Sequence, residues 1–285
     1  MQQVSTGLIL AALVATPALA QPVGRCGFDR ATLSFRGTAS DQAKCLLAPV
    51  RKFGSLGPAL DTLPPVRSKR IGTGLRIDRA KFAAALANAG VDAGNLTKPV
   101  SRGRGGAVDA PRARYFVIHD TSSPWLDNRP FPAAVDSDQA INNVASFLGV
   151  NAVAHIFILR NGKTATGHDY SVPWRATKLE TQAIGLPAKG IFLHNELVQP
   201  RRRDPAGGPR NDAIAPVPGF SLAQYDTLAL LYAAGSLRAG QWLIPGYHAV
   251  IDAGQADAHD DPQNFDLATF DAALGRLLPQ LGEAP

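Results

Sequence analysis

The chain has 285 residues, of which 45% are hydrophobic, 18% charged and 7% aromatic; this excludes disordered and collagen-like chains and leaves length enough for a sizeable core. Lysine and arginine number 29 against 23 acids, a net charge of +6, but only residues 201–203 form a basic run and no aromatic residues alternate with it. The charge therefore does not point to nucleic acid; it favours loose association with polyanions such as a bacterial envelope.

The N-terminus reads as a targeting segment. An apolar stretch led by Leu8, Ile9, Leu10, Leu13 and Val14 runs into Ala18-Leu19-Ala20, a small-x-small cleavage signature, with no lysine or arginine before it. This predicts a signal peptide over residues 1–20, a mature chain from about Gln21, and a periplasmic or secreted location. No other apolar stretch approaches the ~20 residues of a transmembrane helix, so no stable membrane insertion is expected. Cys26 and Cys45, the only two cysteines, stand 19 positions apart. An oxidising compartment would let them pair, and closing such a loop stabilises by ~3 kcal/mol in the chain-entropy account.

Residues 21–100 read as a small N-terminal helical unit carrying that disulfide. Residues 41–50 are helix-like, Pro64-Pro65 breaks the pattern, and 78–89 repeat apolar positions at helical spacing. Residues 101–112 are rich in glycine and charge without periodicity, which predicts a linker. Their glycines lack the third position, and the preceding strand, of a dinucleotide fingerprint.

From residue 113 onward strands interleave with helices, which predicts an α/β layer with a mixed central sheet flanked by helices. Tyr115-Phe116-Val117-Ile118 is a buried-strand run ending at His119. Residues 138–148 have helical spacing, and 155–160 form a strand that enters Asn161-Gly162, a hairpin turn signal. A strand follows over 190–198, a long loop over 199–219, a helix over 221–234 with Ser221 as cap, and a last helix over 267–278.

Six histidines occur, and two of them, His119 and His248, stand at the ends of apolar segments, where side chains emerge beside loops. A catalytic zinc needs three protein ligands and one open position, which two imidazoles and a carboxylate provide. No Gly-x-Ser-x-Gly elbow of a serine hydrolase is present.

Five blocks occur in a telling order: Val117-Ile118-His119-Asp120-Thr121, the ten residues from Ala154-His155 to Gly162-Lys163, Asn195-Glu196-Leu197-Val198, Gly246-Tyr247-His248, and Asp261-Pro262. In that order they resemble the zinc-dependent N-acetylmuramoyl-L-alanine amidases, the amidase-2 group that includes AmpD and the peptidoglycan recognition proteins, over roughly residues 112–280. The resemblance implies a zinc amidase domain over 113–285, with Zn2+ as cofactor and peptidoglycan or muropeptides as partner. The activity it implies is hydrolysis of the amide bond between N-acetylmuramic acid and the L-alanine of the stem peptide. The alternative it leaves is a non-catalytic peptidoglycan-binding module of the same fold.

Carried over by position, His119 and His248 resemble the family's two histidine ligands and Asp261 its third. Gln263 stands where the family usually has glycine, and the span from His248 to Asp261 is longer than in bacterial relatives, so Asp260 and His259 also compete for the third place. Glu196 resembles the family's glutamate, a base toward water, although His194 and Asn195 replace the usual residues before it. His259 falls where bacterial members often place a lysine that steadies the oxyanion. His155 is expected to be a packed residue bonding the sheet or supporting the site from behind, with weaker expectations for His168 and His194. Trp125, Trp174 and Tyr170 are candidates for a groove lining, and Arg201, Arg202 and Arg203 for meeting stem-peptide carboxylates.

Overall fold

The computed structural model describes residues 21–91, 113–143, 145, 148–149, 152–207 and 213–283. The expected signal segment 1–20 and linker 101–112 lie outside the described residues. In chain order the elements are β1 (Phe28–Asp29), β2 (Ser34–Phe35), α1 (Ala39–Leu46), α2 (Pro65–Ser68), α3 (Arg79–Asn88), β3 (Tyr115–Asp120), β4 (Ile156–Ile158), β5 (Thr164–Thr166), β6 (Phe192–Leu197), β7 (Arg202–Arg203), β8 (Ala213–Ile214), α4 (Leu222–Ala239), β9 (Ile244–Tyr247), α5 (His248–Ile251) and α6 (Leu267–Leu277).

The central sheet has the order β5-β4-β6-β3-β9. β4, β6, β3 and β9 run parallel, and β5 pairs antiparallel with β4, so the sheet is mixed. Asn161-Gly162 makes the β4–β5 turn, with Gly162 at φ +83° as a left-handed turn position requires. Every residue of β3 and β6 is buried, because helices cover both faces of a parallel sheet.

Register sorts the side chains. Tyr115 pairs with Phe192, Val117 with His194 and His119 with Glu196, so these six share one face, while Phe116, Ile118, Leu193 and Asn195 share the other. Helix α4 lies on the second face, where a Cβ at Gly235 would come within 2.9 Å of Leu193. Its start is fixed by a capping box between Ser221 and Gln224. The Gln224 amide also donates to Ile158 O (3.2 Å) and Val198 O (3.0 Å), which seats α4 over the ends of β4 and β6.

The first face is covered by the N-terminal residues. Phe28, Phe35, Tyr115 and Phe192 form an aromatic group, with Tyr115 and Phe192 stacked at 4.9 Å and Phe35 edge-on to Tyr115 at 5.1 Å. The Tyr115 hydroxyl donates to Gln42 on α1 (2.8 Å) and accepts from the Phe35 amide (2.9 Å). Helix α1 packs against β9, where Leu46 comes within 3.1 Å of a Cβ built on Gly246. The Cys26–Cys45 disulfide joins the β1 segment to α1. Residues from Phe28 to Val91 and from Ala113 to Leu281 thus contribute to one buried apolar cluster.

The sequence expectations for the helices hold with shifted ends at α1, α3, α4 and α6. The β1–β2 pair was not foreseen, and Pro65 opens α2 at its first position instead of breaking a helix. The helix expected over 138–148 is corrected over residues 138–143, which form turns. The Asp138 carboxylate accepts from the Ala140 (2.9 Å) and Ile141 (3.1 Å) amides, an alternative to helix that aspartate offers its own backbone. Among the described residues, no helix is long and apolar enough to cross a membrane.

Candidate metal centre

The site sits at the carboxyl ends of the parallel strands, where open α/β sheets place their ligands. β3 delivers His119, its ladder partner Glu196 comes from β6, and His248 begins α5 directly after β9. The loop after α5 returns Asp261 beneath them. His119, His248 and Asp261 each offer one ligand atom, all within 4.8 Å of one another, and all three residues are buried.

The separations suit one small cation. The two Nδ1 atoms are 2.9 Å apart, His248 Nδ1 is 3.0 Å from Asp261 Oδ1, and His119 Nδ1 is 3.9 Å from Asp261 Oδ2. Ligands ~2.0–2.1 Å from a tetrahedral ion stand about 3.3 Å apart, so the observed edges straddle that value. Two imidazoles and a carboxylate also match the donor set of a catalytic site with an open corner. Beside them Glu196 Oε1 lies 3.9 Å from His119 Nδ1, and Glu196 Oε2 is buried without a hydrogen-bond partner.

Charges distribute accordingly. Burial, then the His248 and His194 rings, hold His119 well below the usual histidine range. On His248 burial opposes a charge, but Asp261 and Asp252 outweigh it and lift it well above the ordinary value. Asp261 is the counterpart: burial alone would raise it, and the His248 ring holds it well below the carboxylate range. Burial first, then the Asp261 carboxylate, push Glu196 well above a normal glutamate.

Asp261 is held for this role. One of its oxygens accepts from the Asp120 amide (3.0 Å), and Asp120 itself grips Arg201 Nη2 at 2.7 and 2.9 Å. Burial raises Asp120 to about 6, with Arg201 opposing. The turn at Lys52–Gly54 supports the same loop: Gly54, at φ +71°, leaves only 2.5 Å between a built Cβ and Asp260, so the two backbones touch.

Of the three candidates for third ligand, Asp261 alone joins the group. Asp260 turns away, accepting from Gln263 Nε2 (2.8 Å), because consecutive residues on an extended segment point apart. His259 stands at the rim with its side chain 48% exposed, its ring 4.2 Å from that of His248 and its Nδ1 3.6 Å from Asp261. An open cleft of about 420 Å³ leads in, lined by Glu196, His248, His259, Trp174, Arg175 and Lys178 among others.

Of the other expectations, those for His155 and Trp174 hold, and those for Arg201, Tyr170 and Trp125 as groove or carboxylate contacts are corrected. Arg201 does not face substrate: it is 1% exposed, because the buried Asp120 carboxylate requires a cation partner. Tyr170 is buried and donates to Asn195 Oδ1 on the far face of the sheet. Trp125 donates to Asp127 and is not among the cleft residues, whereas Trp174 is, stacked on His168 at 3.9 Å. His155 bonds the sheet, its Nδ1 accepting from the His194 amide (3.0 Å).

Sequence reasoning missed Asp252 behind His248 and gave His194 only a weak expectation. Asp252 lies 2.9 Å from His248 Nε2, and its i+4 spacing from that histidine was a usable signal. His194 lies behind His119, and its place two residues before Glu196 on one strand put it on the same face. Comparison of the chain with protein-family models, with curated proteins and with solved structures finds no match.

Proposed function

We propose that the protein is a zinc-dependent N-acetylmuramoyl-L-alanine amidase, acting on peptidoglycan or muropeptides in the periplasm or outside the cell. The observation that carries this reading is the convergence of His119, His248 and Asp261 on one point, with the unpartnered Glu196 carboxyl beside it in an open cleft. The five sequence blocks that resemble the amidase-2 group supply the substrate class, and the disulfide is in keeping with an oxidising compartment.

His119, His248 and Asp261 would hold the ion. When bound, Zn2+ supplies Lewis acidity toward a carbonyl and lowers the pKa of water. Glu196 would take a proton from the attacking water and return it to the departing L-alanine nitrogen; burial and the Asp261 carboxylate raise its proton affinity. His259 stands over the cleft to offset charge developing on the amide oxygen. The Asp120–Arg201 pair keeps Asp261 aligned.

The test is digestion of purified muropeptides, read by mass spectrometry with and without chelator. Free stem peptide that disappears on chelation is expected. Binding to sacculi without release would instead favour the non-catalytic module, and neither binding nor release would overturn both.

A further inference from the structure

The two histidines of the triad are supported from behind by different means. His248 turns its outer nitrogen, Nε2, directly to a carboxylate, Asp252 Oδ2 at 2.9 Å. His119 turns its Nε2 to another imidazole, His194 Nδ1 at 3.0 Å, and His194 Nε2 in turn lies 3.2 Å from Glu180 Oε2. His194 and Glu180 are fully buried. The His194 ring is fixed by its neighbours as well: it stacks on His155 at an interplanar angle of 6°, and its own amide is tied to His155 Nδ1.

We propose that Glu180 and His194 are positioning residues that act through one another to orient His119 and fix its proton on Nε2, leaving Nδ1 to face the cation. This rests on the metal-centre reading above.

The polarity of the chain is consistent at each link. His119 can offer Nδ1 only when its proton sits on Nε2, so Nε2–H must donate and His194 Nδ1 must accept. That places the His194 proton on Nε2, which lies 3.2 Å from Glu180 Oε2 as an ion-pair contact and makes no other hydrogen bond. A ligand histidine with a carboxylate behind it is more basic and held in one tautomer, and here the carboxylate works at one remove. Glu180 is anchored for it, its Oε2 accepting from the Thr177 amide (3.1 Å), the Thr177 hydroxyl (2.9 Å) and the Ala176 amide (3.2 Å).

The anchor has a second attachment. Asp252, behind the other histidine, accepts from the amides of Lys178 (3.0 Å) and Leu179 (2.9 Å). Residues 176–180 therefore fix the carboxylates behind both histidine ligands, and Ala176, Thr177 and Lys178 of the same stretch wall the cleft. One short segment ties the shape of the cleft to the alignment of both ligands.

The experiment is Co2+ titration of the metal-free full-length chain in competition with a fluorescent chelator, for wild type, Glu180→Gln, His194→Asn and Asp252→Asn. Glu180→Gln keeps the shape of the anchor and removes its charge; His194→Asn keeps an acceptor for His119 and cuts the link to Glu180. Each is expected to weaken Co2+ binding 10–100-fold with the fold retained by circular dichroism. In the metal-free wild type, 15N NMR should find the His119 proton on Nε2. Wild-type affinity in folded Glu180→Gln and His194→Asn, or a proton on His119 Nδ1, overturns the relay. If the variants do not fold, the wild-type tautomer decides. Absence of Co2+ binding by the wild type would sink the metal-centre reading instead, a different outcome from failure of the relay.

Discussion

The two ends of one sheet face, four residues apart, are built on opposite principles. At the amino ends of β3 and β6 stand Tyr115 and Phe192, packed with Phe28 and Phe35 into a dry aromatic group whose only polar atom, the Tyr115 hydroxyl, is satisfied. At the carboxyl ends of the same strands stand His119 and Glu196, equally buried but with titratable groups left facing one another and a carboxylate oxygen unpartnered. Burial at the first end stabilises; at the second it raises the cost of every charge, which shifts His119 and Glu196 away from their charged forms, while the attraction between His248 and Asp261 outweighs it for that pair. The aromatic end can be read as the foundation on which a strained polar end is held.

The strongest way to break that division is to delete one group from each end. His119→Ala should abolish metal binding and turnover while leaving the denaturation midpoint close to wild type, as measured by metal analysis beside a urea curve. Phe192→Ala should do the reverse, costing about 3–5 kcal/mol of stability while each folded molecule still takes up one ion. An His119→Ala variant that keeps its metal, or a Phe192→Ala variant that loses it without unfolding, would show the two ends to be one unit.

A pH experiment sharpens the boundary between them, where His155 lies. Burial, then the His194 ring, lower His155 to about 3. Between pH 6.5 and about 3 the unfolded chain binds a proton there that the native state refuses, so stability rises with pH. The contribution is complete above pH 6.5 and is lost as pH falls below it, at about 1.4 kcal/mol per pH unit. Urea midpoints of wild type and His155→Gln from pH 7 to 4 should therefore converge as the pH drops. Parallel curves would mean that His155 titrates normally in the fold.

Much of the sheet was legible in the residues. Tyr115-Phe116-Val117-Ile118 and Phe192-Leu193 are apolar because both faces of these strands are covered, and Asn161-Gly162 marks a turn because only a residue free to take positive φ closes so tight a hairpin. Ser221 announced the start of α4 through its capping oxygen. Residues 138–148 misled because helical spacing of apolar residues says nothing of the Asp138 side chain that competes for the backbone. Arg201 misled for a related reason: a basic run looks solvent-facing until a buried acid far away in the chain claims one member.

What the sequence determined by itself was local: strand periods, caps, turns, and the kinds of side chain available for chemistry, all set by interactions within a few residues. Which of His259, Asp260 and Asp261 would turn inward, and that Glu180 and His194 would stand behind His119, only the tertiary structure decided. These depend on contacts across 14 to 141 positions, such as the Asp120 amide on Asp261 and the five-residue stretch beneath both histidines, and direction in space is not written in the order of the chain.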